Sequence, residues 1–293
     1  MFTEIFVAVS ILTGLGLLFA TILAVANKKL KVDEDPRIDQ VEEMLPGTNC
    51  GACGEPGCRA FSEALVSGSL KPGKCTVSSP DKVEEIAGFL GVDAGQEEKR
   101  VARLLCAGGR MEDREKIPYQ GNQTCRGMSV VGGGNRGCSW GCLGLGDCEE
   151  VCTFNSIRMN ENGLPVVDID SCTACGDCVE ICPKDLFTIM PLSHKLMVQC
   201  RSQLEGDSAV EICSVACDAC ARCALDAPEG LITMQDTLPV IDYERNELAS
   251  PQATWRCPTG AIQWVEGPQL QSSQPPAFPL GRVEVLNHQH QEK

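Results

Sequence analysis

Cys172-Thr173-Ala174-Cys175-Gly176-Asp177-Cys178-Val179-Glu180-Ile181-Cys182-Pro183 spaces four cysteines as C-x2-C-x2-C-x3-C-P. The two-residue gaps let one tight loop turn three thiolates onto a single cube of iron and sulfide. In chains with paired runs of this kind the fourth cysteine crosses to the neighbouring cluster. Cys172, Cys175 and Cys178 are therefore expected to share a cluster with Cys152, while Cys182 joins the run before it. Zinc is the competing occupant, but seven or eight cysteines in this arrangement overshoot a tetrahedral four-ligand ion.

The preceding run is irregular. Cys138, Cys142, Cys148 and Cys152 are separated by three, five and three residues, and Leu145 stands where the middle ligand of a regular run belongs. Cys138 is the available substitute. The second cluster is thus assigned to Cys138, Cys142, Cys148 and Cys182.

Further along, the pattern repeats. Adding 75 carries Cys125 onto Cys200, Cys138 onto Cys213, Cys142 onto Cys217, Cys148 onto Cys223 and Cys182 onto Cys257. Leu164-Pro165-Val166-Val167-Asp168 likewise returns as Leu238-Pro239-Val240-Ile241-Asp242, displaced by one residue. This is a tandem duplication of one ferredoxin-like unit. In the second copy the positions of Cys152, Cys172, Cys175 and Cys178 carry Ala227, Glu247, Ser250 and Ala253. Crossover of ligands leaves one complete set, Cys217, Cys220, Cys223 and Cys257, and removes the other entirely. Leu248, Trp255 and Trp264 are candidates to fill the lost site, since a void there would destabilise the fold.

A first set lies apart, in Leu45-Pro46-Gly47-Thr48-Asn49-Cys50-Gly51-Ala52-Cys53-Gly54-Glu55-Pro56-Gly57-Cys58, followed by Cys75. Amides of this glycine-rich loop can point at sulfide and thiolate. A helix is expected after it, over residues 59–66. Four cysteines remain, namely Cys106, Cys125, Cys200 and Cys213. They are buried or incidental thiols, ligands of a fifth metal site, or alternative ligands of the sites above. Spacing equates Cys200 with Cys125, whereas its strand-like approach, Lys195 to Gln199, is that of Cys106.

Composition fits small metal-stapled units, because only 4% of the 293 residues are aromatic while Gly (29) and Cys (20) abound. Ile5 to Ala26 is an apolar run of 22 residues, long enough for the ~30 Å core of a bilayer. No basic residue precedes it, which argues against a cleaved signal peptide. Lys28, Lys29 and Lys31 follow it and by the positive-inside rule hold the rest of the chain in the cytoplasm. Thiols stay reduced there, which favours metal over disulfides. A net charge of −15 opposes nucleic acid as a partner.

No dinucleotide or flavin fold is read. Gly132-Gly133-Gly134-Asn135-Arg136-Gly137 opens onto Cys138 and not onto a helix. His194, His288 and His290 are the only histidines, and two lie near the C-terminus, so no histidine metal centre or general-base triad is supported. No catalytic residue is assigned.

The anchor, the Leu45 to Cys58 motif with Cys75, and the Cys138 to Cys182 module resemble the B subunit of the Rnf-type electron transport complex, a membrane ferredoxin:NAD oxidoreductase coupled to ion movement. The module at 193–266 is similar to longer members with extra clusters. The resemblance implies an electron-transfer subunit with 4Fe-4S clusters, four expected here. It would accept electrons from soluble ferredoxin on the cytoplasmic face and pass them to partner subunits. Another membrane-bound polyferredoxin, or an iron-sulfur redox sensor, is the competing reading. The expected fold class is α+β, ordered as a transmembrane anchor (1–31), a four-cysteine Fe-S domain (32–100), a two-cluster ferredoxin module (101–192), a one-cluster module (193–266) and a disordered tail (267–293).

Overall fold

The computed structural model describes residues 2–30, 35–113, 119–131, 134 and 136–271. Lys31, most of the linker after it, much of the 132–137 glycine segment, and His288 and His290 lie outside the described residues.

Helix α1 (Phe2–Leu30) carries the apolar run and ends on Lys28 and Lys29. Its stretch Ile5–Lys29 is long and apolar enough to cross a membrane. Three helices then form the small domain. Asp35 caps α2 (Pro36–Met44), and Ser79 caps α4 (Pro80–Leu90), each with proline in the first turn. Between them, α3 (Cys58–Val66) presents Phe61 and Leu65 to Val41, Leu45 and Ile86. Five buried side chains at about 1.5–3 kcal/mol each make a slender core. A metal staple is what a unit this small needs.

The rest is one plan used twice. In the first module, β1 (Arg100–Leu104) leads through α5 (Cys125–Ser129) and α6 (Asp147–Glu150) to the hairpin of β2 (Ile157–Met159) and β3 (Pro165–Val167). Helix α7 (Asp177–Ile181) follows, and β4 (Phe187–Pro191) returns antiparallel to β1. In the second, β5 (Leu196–Val198), α8 (Gly206–Ile212) and α9 (Arg222–Asp226) precede the hairpin of β6 (Ile232–Gln235) and β7 (Leu238–Ile241). Strand β8 (Ile262–Trp264) then closes on β5. First strand pairs with last in both, and each core lies beneath the two short sheets.

Residues expected to begin the tail belong to the first module instead. Gln269 is buried; its side-chain NH2 donates to Leu104 O at 2.6 Å and its carbonyl accepts from Leu104 N at 3.1 Å. Arg103 donates to Gly267 O at 2.8 Å, and Leu270 packs on the first module's core. A glutamine side chain satisfies the free backbone of β1, so composition alone mistook an edge cap for a loose end.

Candidate iron-sulfur centres

Each cluster run has the same loop backbone. The residue two after the first cysteine and the residue just after the second-cysteine position have positive φ: Ala174 (61°) and Gly176 (98°), Ala219 (60°) and Ala221 (59°), Gly144 (72°) and Gly146 (85°). Alanine in this region costs about 1–2 kcal/mol, so Ala174, Ala219 and Ala221 hold a backbone shape that their own residue type disfavours. Cys178, Cys223 and Cys148 then enter the short helices α7, α9 and α6.

Three cavities follow from these loops. Cys152, Cys172, Cys175 and Cys178 line one, walled by Ala102, Ile157 and Ile189. Cys217, Cys220, Cys223 and Cys257 line another, walled by Met234, Pro239 and Ile262. Cys142, Cys148 and Cys182 line the third, and the fourth cysteine there is Cys125, not Cys138. Cys138, expected at this set from the sequence, lines a separate cavity. The physical cause is a carboxylate: Asp147 accepts from the amides of Cys125 (2.8 Å) and Arg126 (3.2 Å), which pins the start of α5 beside the Cys142–Cys148 loop. That loop keeps the ligand-bearing shape although Leu145 replaces its middle cysteine.

In the small domain, Asn49 Oδ1 accepts from the Cys58 amide at 2.8 Å and draws the head of α3 onto the cysteine loop. A Cβ on Gly57 would sit 2.9 Å from that oxygen, so the close approach needs glycine. Cys53, Cys58 and Cys75 pack against the domain core, and Ser78 Oγ donates to Cys75 Sγ at 3.2 Å. Burial, with Cys75 and Cys50 close by, raises the Cys53 pKa.

The donor sets suit a cluster better than a single ion. None of the twenty cysteines is paired in a disulfide. Among the described residues no group of three or more His, Cys, Asp or Glu converges tightly enough for one metal ion. The thiols instead ring cavities of about 390, 330 and 300 Å3, openings included. A zinc ion with ~2.3 Å bonds would draw its thiolates together, whereas a cube holds them apart. Amides point at the sulfurs, Ser156 N to Cys152 Sγ at 3.3 Å and Leu186 N to Cys182 Sγ at 3.5 Å.

Electrostatics call for a cation at these sites. Burial first, then the thiolates of Cys125 and Cys182, push Cys148 up to about 12. Burial also lifts Cys217 to about 12 and Cys223 to about 11, and raises Cys142 and Cys178 strongly. Four such groups ionise together only around a compensating cation, which iron supplies.

The lost site of the second module is filled from its walls. Where Ala102 faces Ile189 across β1 and β4, Leu196 faces Trp264 across β5 and β8. Leu196 is fully buried, and Trp264, Tyr243, Ala227 and Ala253 share its cluster. Of the other expected fillers, Leu248 and Trp255 are exposed.

The family models match at the same places, FeS (Fe-S cluster) over residues 45–77 and Fer4 (4Fe-4S binding domain) over residues 165–188. The B subunit of the Na(+)-translocating ferredoxin:NAD(+) oxidoreductase complex of Acetobacterium woodii is 39% identical over 245 residues, 84% of this chain and 74% of the relative. The B subunit of the ion-translocating oxidoreductase complex of Methanosarcina acetivorans is 34% identical over 256 residues, covering 87% and 97%. The chain belongs to the family of B subunits of ion-translocating oxidoreductase complexes. A further member, the B subunit of the proton-translocating ferredoxin:NAD(+) oxidoreductase complex of Clostridium ljungdahlii, is 38% identical over 265 residues, covering 89% and 93%. As in the family models, this chain carries 4Fe-4S clusters.

Proposed function

We propose that this protein is the membrane-anchored electron carrier of a ferredoxin:NAD oxidoreductase coupled to ion translocation. It takes electrons from soluble ferredoxin and passes them to partner subunits of the complex. The observation that carries the reading is the succession of four-cysteine cavities along one chain of this family. When bound, each cluster supplies a one-electron couple whose potential responds to burial and to hydrogen bonds at its sulfurs.

The residues proposed to hold clusters are Cys50, Cys53, Cys58 and Cys75; Cys152, Cys172, Cys175 and Cys178; Cys125, Cys142, Cys148 and Cys182; and Cys217, Cys220, Cys223 and Cys257. Apolar walls line the module sites and backbone amides orient the thiolates of Cys152 and Cys182. Helix α1 is proposed to cross the bilayer, with Lys28 and Lys29 holding the cluster domains on the cytoplasmic side. One helix forms no ion pathway, so translocation belongs to partners. The relatives' names divide between sodium and proton at 39% and 38% identity.

The test is anaerobic purification from membranes, followed by mixing with reduced ferredoxin. Rapid bleaching of the cluster absorbance, with partners of several membrane spans and a flavin-linked subunit co-purifying, is the expected result. A cluster-dependent change in binding without electron turnover would identify a sensor instead.

A further inference from the structure

Cys106, Cys138, Cys200 and Cys213 all stand on one cavity, together with Gly108, Trp140 and Ala216. Its space of about 360 Å3, opening included, falls among those of the three module sites above. We infer that Cys106, Cys138, Cys200 and Cys213 hold a fifth 4Fe-4S cluster at the join of the two modules. The inference rests on the reading that the other cysteine sets hold clusters.

Two ligands come from equivalent positions in each module. Cys106 stands two residues beyond β1 and Cys200 two beyond β5. The residue before each donates its amide to the closing segment of its own module, Leu105 to Leu186 O and Gln199 to Ala261 O, both at 2.7 Å. Cys138 and Cys213 are related by the 75-residue repeat. Even the sulfur contacts repeat: the Cys142 amide donates to Cys106 Sγ at 3.4 Å, and the Cys217 amide, 75 residues on, donates to Cys200 Sγ at 3.3 Å. The duplication thus brings two thiols from each module to one place.

The surroundings are those of a built site. Ala107 N donates to Gln199 O at 3.0 Å and Ser214 N to Glu112 O at 3.1 Å, so both modules are zipped together at its edge. A Cβ on Gly108 would lie 2.7 Å from Cys213 Sγ, which only glycine avoids. Ser202 N donates to Cys200 Sγ at 3.4 Å. The buried Arg136 guanidinium donates to Gly108 O at 3.3 Å.

The site occupies a particular place. Cys142 belongs to the third cavity and Cys217 to that of the second module, and both bond this site's sulfurs, so it bridges them. At the other end, Thr76, next to Cys75, donates to Thr173 O at 2.7 Å, beside Cys172. Cys50–Cys75 thus lies beside Cys152–Cys178, and Cys106–Cys213 lies between Cys125–Cys182 and Cys217–Cys257.

The full chain, purified anaerobically and fully loaded, is expected to contain about 20 iron and 20 acid-labile sulfide, all in cubes by Mössbauer spectroscopy. Cys213→Ala, and separately Cys106→Ser with Cys200→Ser, should each lose about four of both, with the paramagnetic resonance signals of the other four clusters retained. A loaded wild-type protein with about 16 iron, stoichiometric zinc, or variants with wild-type iron would overturn the fifth site. The wild-type count holds the inference to account even where a variant misfolds. A failed carrier reading would show differently, as the full iron count with no reduction by ferredoxin.

Discussion

In the first module the Cys152 site is walled by Ala102 and Ile189; in the second the same two places hold Leu196 and Trp264, and no cysteine remains between them. The duplicated unit lost all four ligands of one cluster and gained side-chain volume where the cube had been. The other site of each module took the opposite course. Its loop is preserved in both, with a cysteine at position 220 in the second module and Leu145 plus an outside ligand, Cys125, in the first. A cluster site is thus replaced as a whole or kept as a whole, because three thiolates around a vacated cube would combine buried polar groups with a void.

That contrast can be broken most severely at crossover ligands. Cys257→Ala should remove about four iron although Cys217 to Cys223 are untouched; an unaltered iron content would refute the shared site. Cys125→Ala should likewise remove the cluster of Cys142, Cys148 and Cys182. With Leu145→Cys added, that loss should be rescued, and failure of rescue would mean that Cys125 does more than fill the place of the missing middle cysteine.

Restoring the lost site sharpens the comparison. Introducing Ala227→Cys, Glu247→Cys, Ser250→Cys and Ala253→Cys should add a cluster only when Leu196→Ala and Trp264→Ile clear the space. Iron gained without the two trimming changes would show that volume is not the barrier. Leu196→Ala by itself should lower stability by about 2–5 kcal/mol, read as a lower thermal midpoint. The smallest effect belongs to Asp147→Asn, which keeps an acceptor but loses charge at the head of α5. About 1 kcal/mol is expected, with a shifted resonance signal from the Cys125 site alone.

Much of this was legible because close cysteine spacings and a 75-residue repeat are local signals. The C-x2-C-x2-C-x3-C-P run, the helix after the first cysteine loop and the strand approaching Cys200 follow from sequence neighbours. Cys125 escaped because it sits in an insertion: Cys106 and Cys138 are 32 positions apart, Cys200 and Cys213 only 13. Adding 75 to Cys125 reaches Cys200 by coincidence of length, and that masked the equivalence of Cys106 and Cys200. The sequence clue was the strand-like approach shared by those two. Gln269 was missed for a related reason, since a polar residue in a polar stretch gives no sign of the distant backbone it will cap.

Spacing alone determined that thiolates would be gathered in threes, that the fourth would come from elsewhere, and that a membrane-length helix precedes them. Which distant cysteine completes each set, and in what order the sets adjoin, was decided only when the two modules packed strand end against strand end. Loop closure is a local property of a few residues. Partnership across 13 to 107 positions, from Cys200 to Cys213 and from Cys106 to Cys213, depends on where the folded backbone brings sulfur atoms together.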